Sequence, residues 1–133
     1  VKIKIVPIQQ EHHSFVIANW LQQNLYNGFK PHPIKPIYYK EHQILIKNHL
    51  SGVVAINEED EGQFIGFACG NSEVIHFIFT KEIFRGLGIA RSMWKALGSP
   101  KVYSHVTKLT QKLIDKTFSY NPYAFYGGNH VKE

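Results

Sequence analysis

The chain has a single cysteine, Cys69, in 133 residues. That excludes an internal disulfide and any zinc site built from cysteines, and it suits a reducing compartment. No apolar run approaches the roughly 18 residues of a membrane span, and no leader-peptide pattern opens the chain. There is no HExxH. The Gly-Lys-Ser/Thr ending of a P-loop is missing, and Arg91 stands where a dinucleotide-binding fingerprint needs its last glycine. Internal repeats and low-complexity tracts are also absent. The expectation is one domain over residues 1–133, soluble and cytoplasmic, with no membrane partner and no metal.

What is present is enough for a folded core. Apolar residues make up 44% and aromatics 14% of the chain, which is globular rather than disordered composition. The formal charge is +5, although Glu58, Glu59, Asp60 and Glu61 hold four of the ten acidic residues in one turn. Elsewhere the chain is still more basic, which favours an anionic partner such as a phosphorylated cofactor or nucleic acid. The acidic turn itself reads as a solvated hairpin tip.

Alternation over residues 2–8 predicts a half-buried strand. Over 15–26, Ile17, Trp20, Leu21 and Leu25 share a helical face, and Asn27-Gly28 supplies a stop. The prolines of 30–36 predict a surface loop, followed by a shorter helix over 39–50. Strand-like runs at 52–56, 64–69 and 74–80 are joined by tight turns, which predicts an antiparallel meander. The last run is apolar on both faces and so belongs in the middle of a sheet. Ile89, Ala90, Met93, Trp94 and Leu97 recur at helical spacing, and Gly98 and Pro100 end that helix. A strand over 102–106, a helix over 109–118 and the tail S-Y-N-P-Y-A-F-Y complete the order. The fold class is α/β, with a mixed, mainly antiparallel central sheet flanked by helices.

One short stretch carries most of the functional information. F-R-G-L-G-I-A, residues 84–90, hands a strand over to a helix through two glycines flanked by arginines. A helix N-terminus presents unpaired N–H groups and a partial positive charge. Gly86 and Gly88 keep side chains away from those donors, while Arg85 and Arg91 add charge and forked donors. Two glycines also permit a sharp corner with no ligand at all. The strand before, the amphipathic helix after and the paired arginines favour anion binding.

R-G-L-G-I-A resembles the Arg/Gln-x-x-Gly-x-Gly/Ala signature of the GCN5-related N-acetyltransferases, the GNAT superfamily, with Arg85, Gly88 and Ala90 at the signature positions. The order of elements is similar over essentially the whole chain, though the specific motif is short. The segments I-F-T-K-E-I-F-R-G-L-G-I-A and S-Y-N-P-Y look like those of small bacteriophage-encoded members, which would place the protein in a host cytoplasm. The resemblance implies a GNAT-like (acyl-CoA N-acyltransferase) fold and acetyl-CoA (coenzyme A) as cofactor. Its pyrophosphate would rest on the amides of Arg85, Gly86, Leu87, Gly88, Ile89, Ala90 and Arg91. Its pantetheine arm would pair with the strand before the turn, at Phe77, Ile78, Phe79 and Thr80, where that strand and the next part company.

Acetyl transfer to an amine needs the amine deprotonated, the thioester carbonyl polarised and a proton for the departing thiolate. Backbone N–H groups on a distorted strand can do the polarising. The candidate bases are Glu73, in a segment resembling that of the catalytic glutamate in histone-acetylating members, and His76. In a regular strand these two point to opposite faces, which a bulge would change. Each has a plain alternative, a solvated carboxylate for Glu73 and a core histidine for His76. The tyrosine that serves many members as general acid is missing, with Leu113 or Ile114 in its place. Tyr120, Tyr123 and Tyr126 are candidate substitutes or simply packing residues. Cys69 reads as a small buried residue.

The remaining features are weighed against that reading. Eight histidines raise a metal site, but His42 and His49 lie about 10 Å apart along a helix, and adjacent His12 and His13 diverge. F-K-P-H-P-I-K-P-I-Y-Y-K interleaves lysines with aromatics, as single-strand nucleic-acid binders do, and is better explained as a loop shaping the acceptor pocket. The leading expectation is an N-acetyltransferase acting on a small-molecule or protein amine, possible also as a homodimer. The alternatives are a catalytically silent binding or inhibitory module of the same fold and, third, a basic nucleic-acid-binding protein.

Overall fold

The computed structural model describes residues 2–28, 35–105 and 114–126; for 22–28, 35–39, 42 and 126 it describes the backbone alone. In chain order the elements are β1 (Ile3–Pro7), α1 (His13–Gly28), α2 (Lys35–Lys47), β2 (Gly52–Asn57), β3 (Asp60–Gly70), β4 (Val74–Thr80), α3 (Ile89–Leu97), β5 (Val102–Tyr103) and β6 (Ser119–Tyr120). Short 3-10 turns occupy Gln10–His12, Glu82–Phe84 and Pro122–Tyr126. The strands form one six-stranded sheet in sequence order, β1-β2-β3-β4-β5-β6. The first four run antiparallel, while β5 and β6 run parallel to β4.

The expected meander forms because each connection is a polar turn with its own hydrogen bonds. Between β2 and β3, Asn57 Oδ1 accepts the amide of Glu59 at 2.9 Å. Between β3 and β4, Asn71 Oδ1 accepts the amides of Glu73 and Val74 at 2.8 and 3.0 Å. Asparagine closes such turns because its short side chain mimics a backbone acceptor.

Helices cover both faces of the sheet, as the wholly buried β4 requires. On one face α1 and α2 bring Val16, Trp20, Leu21 and Ile46 onto Val54, Ile56, Phe67, Cys69, Phe77 and Phe79. Trp20 stacks on Phe77 with ring centroids 4.9 Å apart. On the other, α3 lays Ile89, Met93, Trp94 and Leu97 over Ala55, Ile65, Ala68, Ile75 and Ile78. Two backbone bonds end α3, from Gly98 to Lys95 and from Ser99 to Trp94 at 3.0 and 3.1 Å. That pairing is a Schellman stop.

Several boundaries differ from the sequence expectation. β3 begins at Asp60, ahead of the expected 64, so Asp60 and Glu61 of the acidic turn belong to the strand. α2 begins at Lys35, ahead of the expected 39, with Pro36 in its first turn; a proline there lacks only an N–H that the helix would not have used. α2 also ends at Lys47, so His49 sits beyond the helix, its amide bonded to Ile46 at 2.8 Å. β5 is two residues long, with Ser104 and His105 past its end. Of the helix expected over 109–118, residues 109–113 lie outside the described residues. Residues 114–118 are not helical, because Asp115 Oδ1 accepts the amide of Thr117 at 2.8 Å and its carbonyl that of Phe118 at 3.1 Å, closing a turn instead. The side chains of Leu25 and of the whole 30–36 segment likewise lie outside the described residues.

Candidate functional site

Two features meet at the C-terminal half of β4. The first is the corner between β4 and α3. Gly86 and Gly88 have φ of 83° and 77°, left-handed values at which any side chain is strained. The conformation therefore explains the glycines by itself. It does not explain the corner's other two properties. A Cβ built at either position meets nothing within 4 Å. Among the described residues, no backbone or side-chain acceptor takes the amides of Gly86, Leu87, Gly88, Ile89, Ala90 or Arg91. The corner is open, and its donors point to an unmet partner.

Arg85 and Thr80 frame this corner. Arg85 Nε donates to the Thr80 carbonyl at 2.8 Å, which fixes the guanidinium across the end of β4 and leaves its terminal nitrogens for a second acceptor. Thr80 is buried, and its hydroxyl has no hydrogen-bond partner among the described residues. Gly88's carbonyl accepts both the amide and the hydroxyl of Ser92 at 3.0 Å. Arg91 is exposed on the first turn of α3, and Leu87 is 66% exposed at the tip of the corner.

The second feature is the parting of β4 and β5. Their ladder consists of Val74↔Val102 and Ile75↔Tyr103 and stops there. Among the described residues no strand pairs with 76–80 on that side. A bulge opposite Cys69 and Gly70 falls at the same point. In consequence Ile75 packs with the α3 layer while Phe77 packs with the α1–α2 layer and Ile78 returns to α3. His76 is turned toward the α1–α2 face, into a cluster where strand spacing alone would not have grouped it.

That cluster joins residues distant in the chain. His76 Nδ1 lies 2.7 Å from Ser104 Oγ, and Ser104 Oγ lies 2.8 Å from His105 Nδ1. The rings of His49 and His76 meet edge to face at 4.7 Å. Phe125 stacks on His49 at 4.1 Å and meets His105 at 4.5 Å. Burial, with His49 and His105 beside it, pushes the His76 imidazole down to about 3. Burial also lowers His49, against a hydrogen bond with the Phe125 backbone that raises it. His49 and His76 are therefore neutral rings near pH 7. Among the described residues, no three His, Cys, Asp or Glu side chains are grouped to hold a metal ion.

The fold is similar to that of YjaB from Escherichia coli, solved in its apo form. The two are 22% identical with a TM-score of 0.55, over 74% of this chain and 66% of that one, just under two thirds of its length. It is also similar to a predicted acetyltransferase from Clostridium acetobutylicum solved with acetyl-CoA, at 17% identity and a TM-score of 0.52, over 95% of this chain and 89% of that one. No family model and no curated protein matches the chain. The fold is that of the GNAT acetyltransferases.

On that fold the residues expected at the cofactor corner, Arg85 to Arg91, share one turn, and Ile78, Phe79 and Thr80 lead into it along β4. The expected acid–base residues are dispersed. Glu73 is exposed in the turn before β4 rather than on the strand. Tyr120 is 53% exposed on β6, two strand spacings or about 10 Å from β4. Its ring meets Tyr103, which packs with the α3 layer, on the face opposite His76. Tyr123 is 66% exposed. Cys69 is fully buried and burial pushes its thiol up, so it is no nucleophile.

Sequence reasoning missed His49, Ser104 and His105. In the sequence His49 has only His42 as a helical partner, and neither V-Y-S-H-V nor any spacing rule marks Ser104. The bulge that gathers them has no sequence signature, because it is set by pairing with β3.

Proposed function

We propose that the chain is an acetyl-CoA-dependent N-acetyltransferase acting on a small-molecule or protein amine. The observation that carries this reading is the corner at Gly86 to Arg91: six consecutive amides without acceptors among the described residues, at a helix N-terminus, with no described atom where the glycine side chains would stand. A diphosphate matches that demand in charge and in acceptor number. The hydroxyl of Thr80 and the edge of β4 over 76–80, both unpaired among the described residues, supply further donors and acceptors for an amide-bearing arm. Bound there, acetyl-CoA supplies an activated acetyl thioester. The neighbour from Clostridium acetobutylicum, solved with acetyl-CoA on a similar fold, supports the choice.

In this reading the amides of Gly86 to Arg91 and the guanidinium of Arg85 hold the diphosphate. The distorted backbone at the β4 bulge would offer N–H donors to a thioester carbonyl and so polarise it. His76, at the point where β4 and β5 part, takes the proton of the amine; Glu73 and Tyr120 stand away from that point. The protein works in the cytoplasm, and the likeness of its corner and tail to phage-encoded members gives it a phage origin.

A second reading has one observation in its favour. Tyr120 and Tyr123 are exposed, and Tyr120 is on the face away from His76, so no described tyrosine is posted as a general acid. That suits a silent module that keeps the cofactor corner without turnover. Release of free CoA from acetyl-CoA, followed with a thiol reagent across a panel of primary amines, separates the two. The transferase reading expects amine-dependent release that is lost in Leu87→Glu. Cofactor binding with no release for any amine supports the silent module instead.

A further inference from the structure

A serine hydroxyl held between two imidazoles couples them. Ser104 Oγ is within 2.8 Å of both His76 Nδ1 and His105 Nδ1. It has one proton to give and two lone pairs to receive one, so it can donate to at most one ring. In the arrangement that conducts a proton it donates to one ring and accepts from the other, and two neutral rings then hold opposite tautomers. When His76 carries its proton on Nδ1, its Nε2 is a bare acceptor and His105 is protonated on Nε2. When the Ser104 hydroxyl turns toward His76, the pattern inverts, and His76 presents an Nε2–H.

The two ends of this chain differ in surroundings. His76 is 7% exposed and Ser104 is 3% exposed, whereas His105 is only partly buried. The chain thus runs from a buried nitrogen at the parting of β4 and β5 toward solvent. His76 is also the first residue beyond the last rung of the β4–β5 ladder. Its Nε2 has no hydrogen-bond partner among the described residues. Among the described residues the other rings against His76 are those of His49 and Phe125, and of these two His49 is the one that titrates.

Resting on the transferase reading above, we propose that His76, Ser104 and His105 form a proton relay that serves the acceptor amine as base and the departing thiolate as acid. In the forward direction His76 Nε2 takes a proton from the amine as the amine nitrogen bonds to the acetyl carbonyl carbon. The His76 Nδ1 proton moves to Ser104 Oγ, the Ser104 proton moves to His105 Nδ1, and His105 releases its Nε2 proton to water. The carbon–sulfur bond then breaks, its electron pair leaving on sulfur. His76 donates its Nε2 proton to that thiolate, Ser104 returns a proton to His76 Nδ1, and His105 returns one to Ser104 and takes another from water at Nε2. Protons balance over the cycle, and the relay ends as it began. One histidine thereby does the work of two groups, which accounts for a site with no tyrosine facing it among the described side chains. His76 is the catalytic residue; Ser104 and His105 act through it.

Nitrogen-15 NMR of the histidine rings near pH 7, read together with CoA release and melting in acetyl-CoA, tests the relay on wild type, Ser104→Ala and Ser104→Thr. The relay requires opposite tautomers at His76 and His105 in wild type and in Ser104→Thr, and loss of that pairing in Ser104→Ala. It further requires Ser104→Ala to release CoA at least tenfold more slowly with the best amine of the panel and to lose the solvent deuterium isotope effect. Ser104→Thr should restore both, and all three should gain the same melting shift from acetyl-CoA. Identical tautomers at the two rings, or an active wild type matched by Ser104→Ala, overturns the relay alone. A wild type that neither melts higher in acetyl-CoA nor releases CoA overturns the transferase reading, and the catalytic use of the relay with it.

Discussion

Arg85 Nε donates to the carbonyl of Thr80 at 2.8 Å, tying the last residue of β4 to the corner that opens α3. The bond explains why an arginine stands here instead of a lysine. Its Nε is spent on the strand, and the terminal nitrogens remain for a ligand, a division that a point-charge ammonium cannot make.

Replacing that arginine should therefore separate charge from geometry. Arg85→Ala is expected to raise the acetyl-CoA dissociation constant by about tenfold, the effect of one charge-assisted hydrogen bond at about 1.4 kcal/mol. Arg85→Lys is expected to recover little of it. Titration calorimetry reads both, and equal affinity for Lys and Arg would show that only charge matters at this position.

The histidine cluster predicts acid sensitivity. His76 is held down to about 3 in the folded protein by burial and by its histidine neighbours, below the ordinary value near 6.5 that it has when unfolded. Between those limits the unfolded chain binds a proton that the folded chain refuses, so stability is full above pH 6.5 and is lost as pH falls toward 3. The slope from this residue is on the order of 1 kcal/mol per pH unit. Urea melts of wild type and His76→Gln between pH 4 and 7 should converge as pH falls. Parallel curves would mean that His76 titrates normally.

Core and surface aromatics and aliphatics should behave differently. Phe77 is 1% exposed between the Trp20 and Phe67 rings, so Phe77→Ala is expected to cost about 3–5 kcal/mol through the cavity it leaves. Ile83 is 80% exposed, and Ile83→Ser should change stability by no more than about 0.5 kcal/mol. Denaturant midpoints decide this, and a mild Phe77→Ala would mean that the layer under α1 is loosely packed.

The sequence carried the fold through local signals. Strand β4 was legible from an unbroken apolar run and α3 from its apolar spacing and the glycine that stops it, because each is specified by its own residues. The glycine corner was legible for the same reason. What failed was set by distant partners or by single polar side chains. The turn at Asp115 replaced the last part of an expected helix because one carboxylate outcompeted the helical bond. The bulge in β4 grouped His76 with His49, Ser104 and His105, residues that no periodicity relates. Glu73 looked like a strand carboxylate and became a turn residue, since Asn71 closes the turn around it.

The transferase reading depends on the amides between Gly86 and Arg91, unpaired among the described residues, holding a diphosphate, and thermal melting with acetyl-CoA reads that binding. At one hundred times the dissociation constant, the cofactor should stabilise wild type by about 2.7 kcal/mol. Leu87→Glu brings a carboxylate to an exposed position with no left-handed backbone, and should keep the unliganded melting temperature while losing the shift. A wild type whose melting is indifferent to acetyl-CoA, or a Leu87→Glu variant stabilised as much as wild type, would contradict it.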